Sequence, residues 1–218
     1  MQLKEGTNVV TADGDKAGTI DRIVIDPVTK EVTHLVVRKG FLFTEDKVVP
    51  MSLVGPATAD QVNLRPGAGE LDKLPDFQET NYVPIDRESS TRPAPDQISP
   101  FLYWYPPRGA AWRLGEFTAI PIPPYVVETT ENIPEGTVAL EEGARVVTSD
   151  GAHVGDVERV YTDPQVDRAT HLLISKGLIL KEKKLIPTNW ITSLREDEVH
   201  LAVEADLVEN LPEYDVRD

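Results

Sequence analysis

EGARVVTSDGAHVGDVERVYTDPQVDRATHLLISKGLILKEKKLIPTNWI, residues 142–191, stands in this chain twice. Shifted back by 137 positions, it falls without insertion on EGTNVVTADGDKAGTIDRIVIDPVTKEVTHLVVRKGFLFTEDKVVPMSLV, residues 5–54. Gly6 meets Gly143, Asp13-Gly14 meets Asp150-Gly151, and Gly18 meets Gly155. Asp26-Pro27 meets Asp163-Pro164, Thr33-His34-Leu35 meets Thr170-His171-Leu172, and Lys39-Gly40 meets Lys176-Gly177. The register runs on to LDKLPDF (71–77) over VENLPEY (208–214). Solenoid repeats run about 20–50 residues, so self-similarity of this length indicates two duplicated domains. The expected boundaries are 1–79 for the first copy, 80–134 for a linker and 135–218 for the second copy.

Each copy reads as short strands punctuated by turns. In the first, Asn8–Thr11 is closed by Asp13-Gly14, a hairpin signal. Thr19–Asp26 ends at Pro27, Glu31–Lys39 ends at Gly40, and Lys47–Pro50, Ser52–Val54 and Gln61–Leu64 supply shorter strands. Glu70–Leu74 before Pro75, and Asp206–Leu211 before Pro212, read as single helical turns. The second strand breaks the period of two. Its apolar positions Ile20/Val157 and Ile23/Val160 are three apart, with Asp21-Arg22 and Glu158-Arg159 between them, which predicts a β-bulge or a sharp bend. The third strand is apolar on both faces (Leu35, Val36, Val37; Leu172, Leu173, Ile174), so something has to cover its outer side. A domain of this size sits near the lower limit of what buries its own core, and each copy is expected to lean on its twin, the linker or a second chain.

The linker has a different composition. It holds ten of the eighteen prolines, two of the three tryptophans and four of the six tyrosines, and it has no lysine. RESSTRPAPDQ (87–97) is flexible in composition, whereas SPFLYWYPPRGAAW (99–112) and FTAIPIPPYVV (117–127) are too apolar to remain a plain spacer. Phe101, Tyr103, Trp104, Tyr105 and Trp112 are read in three ways: as cover for barrel surface in the same molecule, as a patch that docks a partner, or as part of a disordered stretch.

Composition limits the function classes. The net charge is −15, with nine basic against thirteen acidic residues in 1–79 and nine against eighteen in 135–218. Such a surface repels a phosphate backbone, which argues against nucleic acid as partner. The one local basic run, KEKK at 181–184, has Thr44–Lys47 as its counterpart and reads as a solvated hairpin tip. There is no cysteine for disulfides or thiolate metal sites, and no apolar run of transmembrane length. A cytoplasmic location is the expectation.

The order V-V-x-x-D-G-x-x-x-G-x-x-x-R, then T-H-L, K-G and P, resembles the PRC-barrel domain. It is carried by Val9-Val10, Asp13-Gly14, Gly18, Arg22, Thr33-His34-Leu35, Lys39-Gly40 and Pro50. In the second copy it is carried by Val146-Val147, Asp150-Gly151, Gly155, Arg159, Thr170-His171-Leu172, Lys176-Gly177 and Pro187. The resemblance implies an all-β fold: two small bent-sheet barrels of PRC type, each with a short C-terminal helical turn. Relatives occur in the cytoplasmic part of the photosynthetic reaction centre H subunit and in a ribosome maturation factor. What those settings share is contact with other proteins.

Catalytic signals are weak. His34 and His171 stand singly before apolar strands and read as structural histidines bonding to backbone. DGDKAG (13–18) has Ala17 where a calcium loop needs a ligand, and reads as a turn. Asp26 and Asp163 before proline read as turn initiators. The expectation is a non-enzymatic interaction or scaffolding module with no cofactor and no metal. Its partner is a protein of unknown identity, docked on the barrels and on Phe101, Tyr103, Trp104, Tyr105 and Trp112. The copies are expected to pack as a pseudo-dimer within one chain, as single-copy relatives would pair, and a homo-oligomer of the chain stays open. The alternatives are a ribosome- or RNA-associated assembly factor, or a small-ligand protein using a cleft walled by Trp104, Trp112 or Trp190.

Overall fold

The computed structural model describes residues 1–39, 45–58, 60–65, 73–84, 125–177 and 182–215. The chain forms two compact units, one made of Met1–Phe77 with Asn132–Asp218 and the other of Gln78–Glu131.

In the first unit the strands of the N-terminal half are β1 (Gln2–Leu3), β2 (Asn8–Val10), β3 (Lys16–Ile25), β4 (Val32–Lys39), β5 (Glu45–Pro50), β6 (Val54–Ala57) and β7 (Gln61–Leu64). The second unit contributes β8 (Gln78–Pro84) and β9 (Tyr125–Glu131). The C-terminal half of the first unit has β10 (Val138–Glu141), β11 (Arg145–Val147), β12 (His153–Asp163), β13 (Arg168–Lys176), β14 (Glu182–Pro187), β15 (Ile191–Leu194) and β16 (Glu198–Leu201), then helix α1 (Ala205–Glu209). The expected helical turn of the second copy is therefore present. That of the first falls largely on residues 66–72, outside the described residues.

The two sheets have the same strand order, β5-β4-β3-β2-β7-β6 and β14-β13-β12-β11-β16-β15. Each is an open path among the described residues, so the fold is all-β with two bent sheets rather than two demonstrably closed barrels. The bend comes where the sequence places it. The β3–β4 register shifts between Ile20 and Arg22, and the β12–β13 register between Val157 and Arg159. Asp21 and Glu158 are the extra residues, and Ile20, Ile23, Val157 and Val160 all turn inward. An inserted residue of this kind sharpens local twist and lets a short sheet curl. Glycine allows the chain to close up beside it. A Cβ at Gly18 would lie 2.3 Å from the Arg38 carbonyl oxygen, and one at Gly155 would lie 2.9 Å from that of Ser175.

Each sheet takes one strand from the other half. The N-terminal β1 pairs with β12, placing Leu3 opposite Val160. Its counterpart β10 pairs with β3, placing Leu140 opposite Ile23. Leu3 and Leu140 are both fully buried, in a single apolar core that draws side chains from both halves. Burying one leucine contributes about 1.5–3 kcal/mol, a sizeable share of the stability of a small domain. The expected reliance of each copy on its twin thus takes the form of an exchange of strands.

The outer side of β4 is covered as its sequence requires. Val36 packs with Val24, Val48, Phe77 and Ala139, the last of these from β10. Phe77 reaches this position because residues 75–77 run along the edge of β5: Val48 N donates to Pro75 O and Phe77 N donates to Asp46 O. In the other half Tyr214 N donates to Lys183 O, the equivalent bond.

Candidate interaction site

The five aromatic residues singled out for partner binding, Phe101, Tyr103, Trp104, Tyr105 and Trp112, lie outside the described residues. What is described is how the chain reaches and leaves them. Asn132 N donates to Phe77 O at 2.9 Å, and Asn132 Nδ2 donates to Asp76 O at 2.8 Å. The segment between departs and returns at one point of the first unit. Within the second unit, β8 and β9 pair antiparallel in unbroken register, from Gln78 opposite Glu131 to Pro84 opposite Tyr125. The stretch expected to be a linker between two domains is, in topology, an insertion at a single position.

The first unit has its own concentration of charge where the exchanged strands meet. Asp21 and Glu158, the bulged residues, are both buried carboxylates. Asp21 Oδ1 lies 2.5 Å from Arg38 Nη2, and Arg38 also holds Asp46 at 3.1 Å. Arg22 pairs with Glu141 at 2.7 Å and with Glu196 at 2.8 Å, both from the other half, and stacks over the Phe77 ring at 5.1 Å. In the C-terminal half Glu158 pairs instead with Lys183 at 2.6 Å, and Arg159 donates to the Gln2 side chain on the exchanged strand. The equivalents of Arg38 and Asp46 are Ser175 and Lys183, so a cation on a different strand serves the same buried acid.

These surroundings shift the two acids in opposite directions. Burial raises the pKa of Asp21 and outweighs the attraction of Arg38. Burial acts the same way on Glu158, but the hydrogen bond and charge of Lys183 overcome it and the pKa falls. Glu5 is raised, by burial first and by the charge of Asp21 second. On the outer side of β12, burial and the hydroxyl of Tyr214 push the Tyr161 phenol up to about 12, the two rings meeting edge to face at 6.0 Å.

Sequence reading missed Asp21 and Glu158 as buried groups, although a pair of acids at matched positions inside apolar strands was the available signal. It also misread part of KEKK. Glu182–Lys184 belong to β14 rather than to a hairpin tip, because Lys183 neutralises Glu158 and Lys184 caps the carbonyls of Glu209 and Leu211 at the end of α1. At the start of β4 and β13 the backbone bonds come from threonine, with Thr33 Oγ1 on Val24 O and Thr170 Oγ1 on Tyr161 O. The Nδ1 of His34 is buried without a partner among the described residues, and burial lowers its pKa. Asp26 accepts from Val28 N and Thr29 N, and Asp163 accepts from Gln165 N, so both initiate turns. DGDKAG turns through Gly14 N to Thr11 O.

The remaining readings concern ligands. Among the described residues no group of three His, Cys, Asp or Glu side chains is placed to hold a metal ion. The gap on the seam, lined by Lys4, Glu5, Asp21, Glu142, Glu158 and Arg159 among others, measures about 10 Å³. That is room for one water, not for a metabolite. Trp190 packs half-buried against the core. No helix among the described residues is long and apolar enough to cross a membrane.

Residues 5–78, which carry the bulge and the first of the two sheets, match the PRC-barrel domain family. The N-terminal half is a PRC-barrel domain. The C-terminal half, for which the sequence suggests a second copy of the same domain, matches a different family, described as "uncharacterized protein conserved in bacteria" (DUF2171), over residues 140–209. The PRC-barrel half and its partner thus share strand order and core positions while differing in the charged residues between them. No curated protein matches the chain.

Proposed function

We propose that this protein is a non-catalytic interaction module in which a PRC-barrel domain and its partner half form one rigid base carrying a protein-binding insertion. The observation that carries this reading is the meeting of Phe77 and Asn132, 2.9 Å apart between carbonyl oxygen and amide nitrogen. A segment rooted at one point and clamped by a two-stranded ladder adds nothing to the connection of the halves that a direct join would not. Its nine prolines and its aromatic cluster therefore serve another purpose. Trp, Tyr and Arg dominate binding hot spots, and a proline-rich chain gives up little conformational freedom on docking. Phe101, Tyr103, Trp104, Tyr105 and Trp112 are the residues assigned to the partner, which is a protein in a cytoplasmic setting. The acidic surface of the base turns away nucleic acid. In origin, the two halves descend from one tandemly copied domain.

The test compares proteins captured by the full chain with those captured by a variant carrying Phe101→Ala, Trp104→Ala and Trp112→Ala. Loss of specific partners in the variant is the expected result. An unchanged set would remove the insertion from the binding role.

A further inference from the structure

We infer that a single water molecule is built into the seam, bridging the carboxylate of Glu158 to the guanidinium of Arg159. Glu158 Oε2 and Arg159 Nε are each buried and without a hydrogen-bonding partner among the described residues. Glu158 as a whole is 9% exposed. An acid and a base left unsatisfied at such depth each cost on the order of 1–3 kcal/mol, and native structures satisfy nearly all such groups. Both residues line the gap of about 10 Å³ where the exchanged strands meet. A buried water needs roughly 10–15 Å³ of such space and two to four polar partners.

The other half shows what the bridge replaces. There the equivalent atoms, Asp21 Oδ2 and Arg22 Nε, face each other directly at 3.5 Å. In the C-terminal half glutamate stands where aspartate stands in the first, and its other oxygen is drawn to Lys183 at 2.6 Å. The two atoms that pair directly in one half are the same two that lack partners in the other. Their chemistry selects the occupant. Arg159 Nε offers a proton and Glu158 Oε2 requires one, so the ligand has to accept and donate at once. A bare metal cation accepts nothing from an N–H, and a halide donates nothing to a carboxylate. Water does both. Lys4, Glu5 and Glu142, which follow the two crossing strands β1 and β10, border the same gap.

A crystal structure of the full chain at a resolution that orders solvent tests this. One water within about 2.7–3.2 Å of both Glu158 Oε2 and Arg159 Nε is expected. A direct contact between those atoms, or the Lys4 ammonium lying in the gap, would overturn the inference. In solution, oxygen-17 relaxation dispersion counts long-lived internal waters without crystals. Glu158→Asp, which restores the pairing of the first half, should lower that count by one, and an unchanged count would sink the bridge.

Discussion

Glu31 bridges to Arg168, the residue that occupies its own place in the second half. On either side Val32 N donates to Asp167 O and Ala169 N donates to Lys30 O, both at 2.8 Å, and these too are exchanged equivalents. Lys30 and Asp167 share positive φ, 62° and 49°. A pair of bonds that maps onto itself when the halves are swapped marks a pseudo-two-fold axis. The reciprocal pairings of β1 with β12 and β10 with β3 obey the same relation. The energetic consequence is that neither half completes its own sheet.

If the halves are held by exchanged strands and a shared core, cutting the chain between them should leave them together. A protease site placed within residues 85–124 and cleaved in the folded protein should give two fragments that migrate as one particle in size-exclusion chromatography. Separate elution of the fragments under native conditions would contradict the shared core.

Excision of the insertion should be tolerated, because Phe77 and Asn132 already touch. A variant lacking Gln78–Glu131, with two glycines joining Phe77 to Asn132, should keep its β-rich circular dichroism and cooperative melting. Each doubling of a flexible loop costs only about 0.6 kcal/mol, so shortening one by this much brings no penalty from closure. A molten or aggregated product would show that the insertion is part of the fold.

The glycines at the bend should not accept a side chain. Gly18→Ala would place its methyl 2.3 Å from the Arg38 carbonyl oxygen, and Gly155→Ala would place its own 2.9 Å from that of Ser175. Backbone on backbone cannot step aside as a flexible side chain can. Each variant should lose more than about 1 kcal/mol in urea denaturation, Gly18→Ala the more. Gly14→Ala, where no atom lies within 4 Å but φ is 90°, should lose less.

Asp21 and Glu158 should respond oppositely to neutralisation. The pKa of Glu158 is lowered in the fold, so its ionised form contributes stability that is present above its unfolded pKa and lost as pH falls through its folded pKa. Glu158→Gln should therefore cost about 1–3 kcal/mol at pH 7, and the difference from wild type should shrink in acid. The pKa of Asp21 is raised, so the fold favours its protonated form, and that contribution is lost as pH rises through its folded pKa. Asp21→Asn should be close to neutral or stabilising at pH 7 and gain nothing in acid. Denaturant midpoints between pH 3 and pH 7, roughly spanning the carboxylate range, separate the two. Parallel curves for the two variants would rule out the opposing shifts.

Much of this was legible before any coordinates. The period of three between Ile20 and Ile23 called for a bulge or a sharp bend in the strand, and a bulge stands there. The run Leu35-Val36-Val37 demanded cover on both faces and has it, from Phe77 and Ala139. Other residues misled because their partners are remote in sequence. Lys183 looked like part of a solvated basic tip, yet it answers Glu158, 25 residues away across the sheet. The matched acids Asp21 and Glu158 inside apolar strands signalled buried charge, but which cation would meet each was not legible from the strand itself.

The repeat itself, read from 142–191 over 5–54, determined that the chain holds two like halves of short strands, and where each would bend. That follows from period and glycine placement, which act within a few residues of chain. Only the tertiary structure decided that each half lends a strand to the other, that a supposed linker is an insertion at one point, and which cation meets each buried acid. Those outcomes depend on contacts between residues on different strands, beyond the reach of any local pattern, and local sequence carries no record of them.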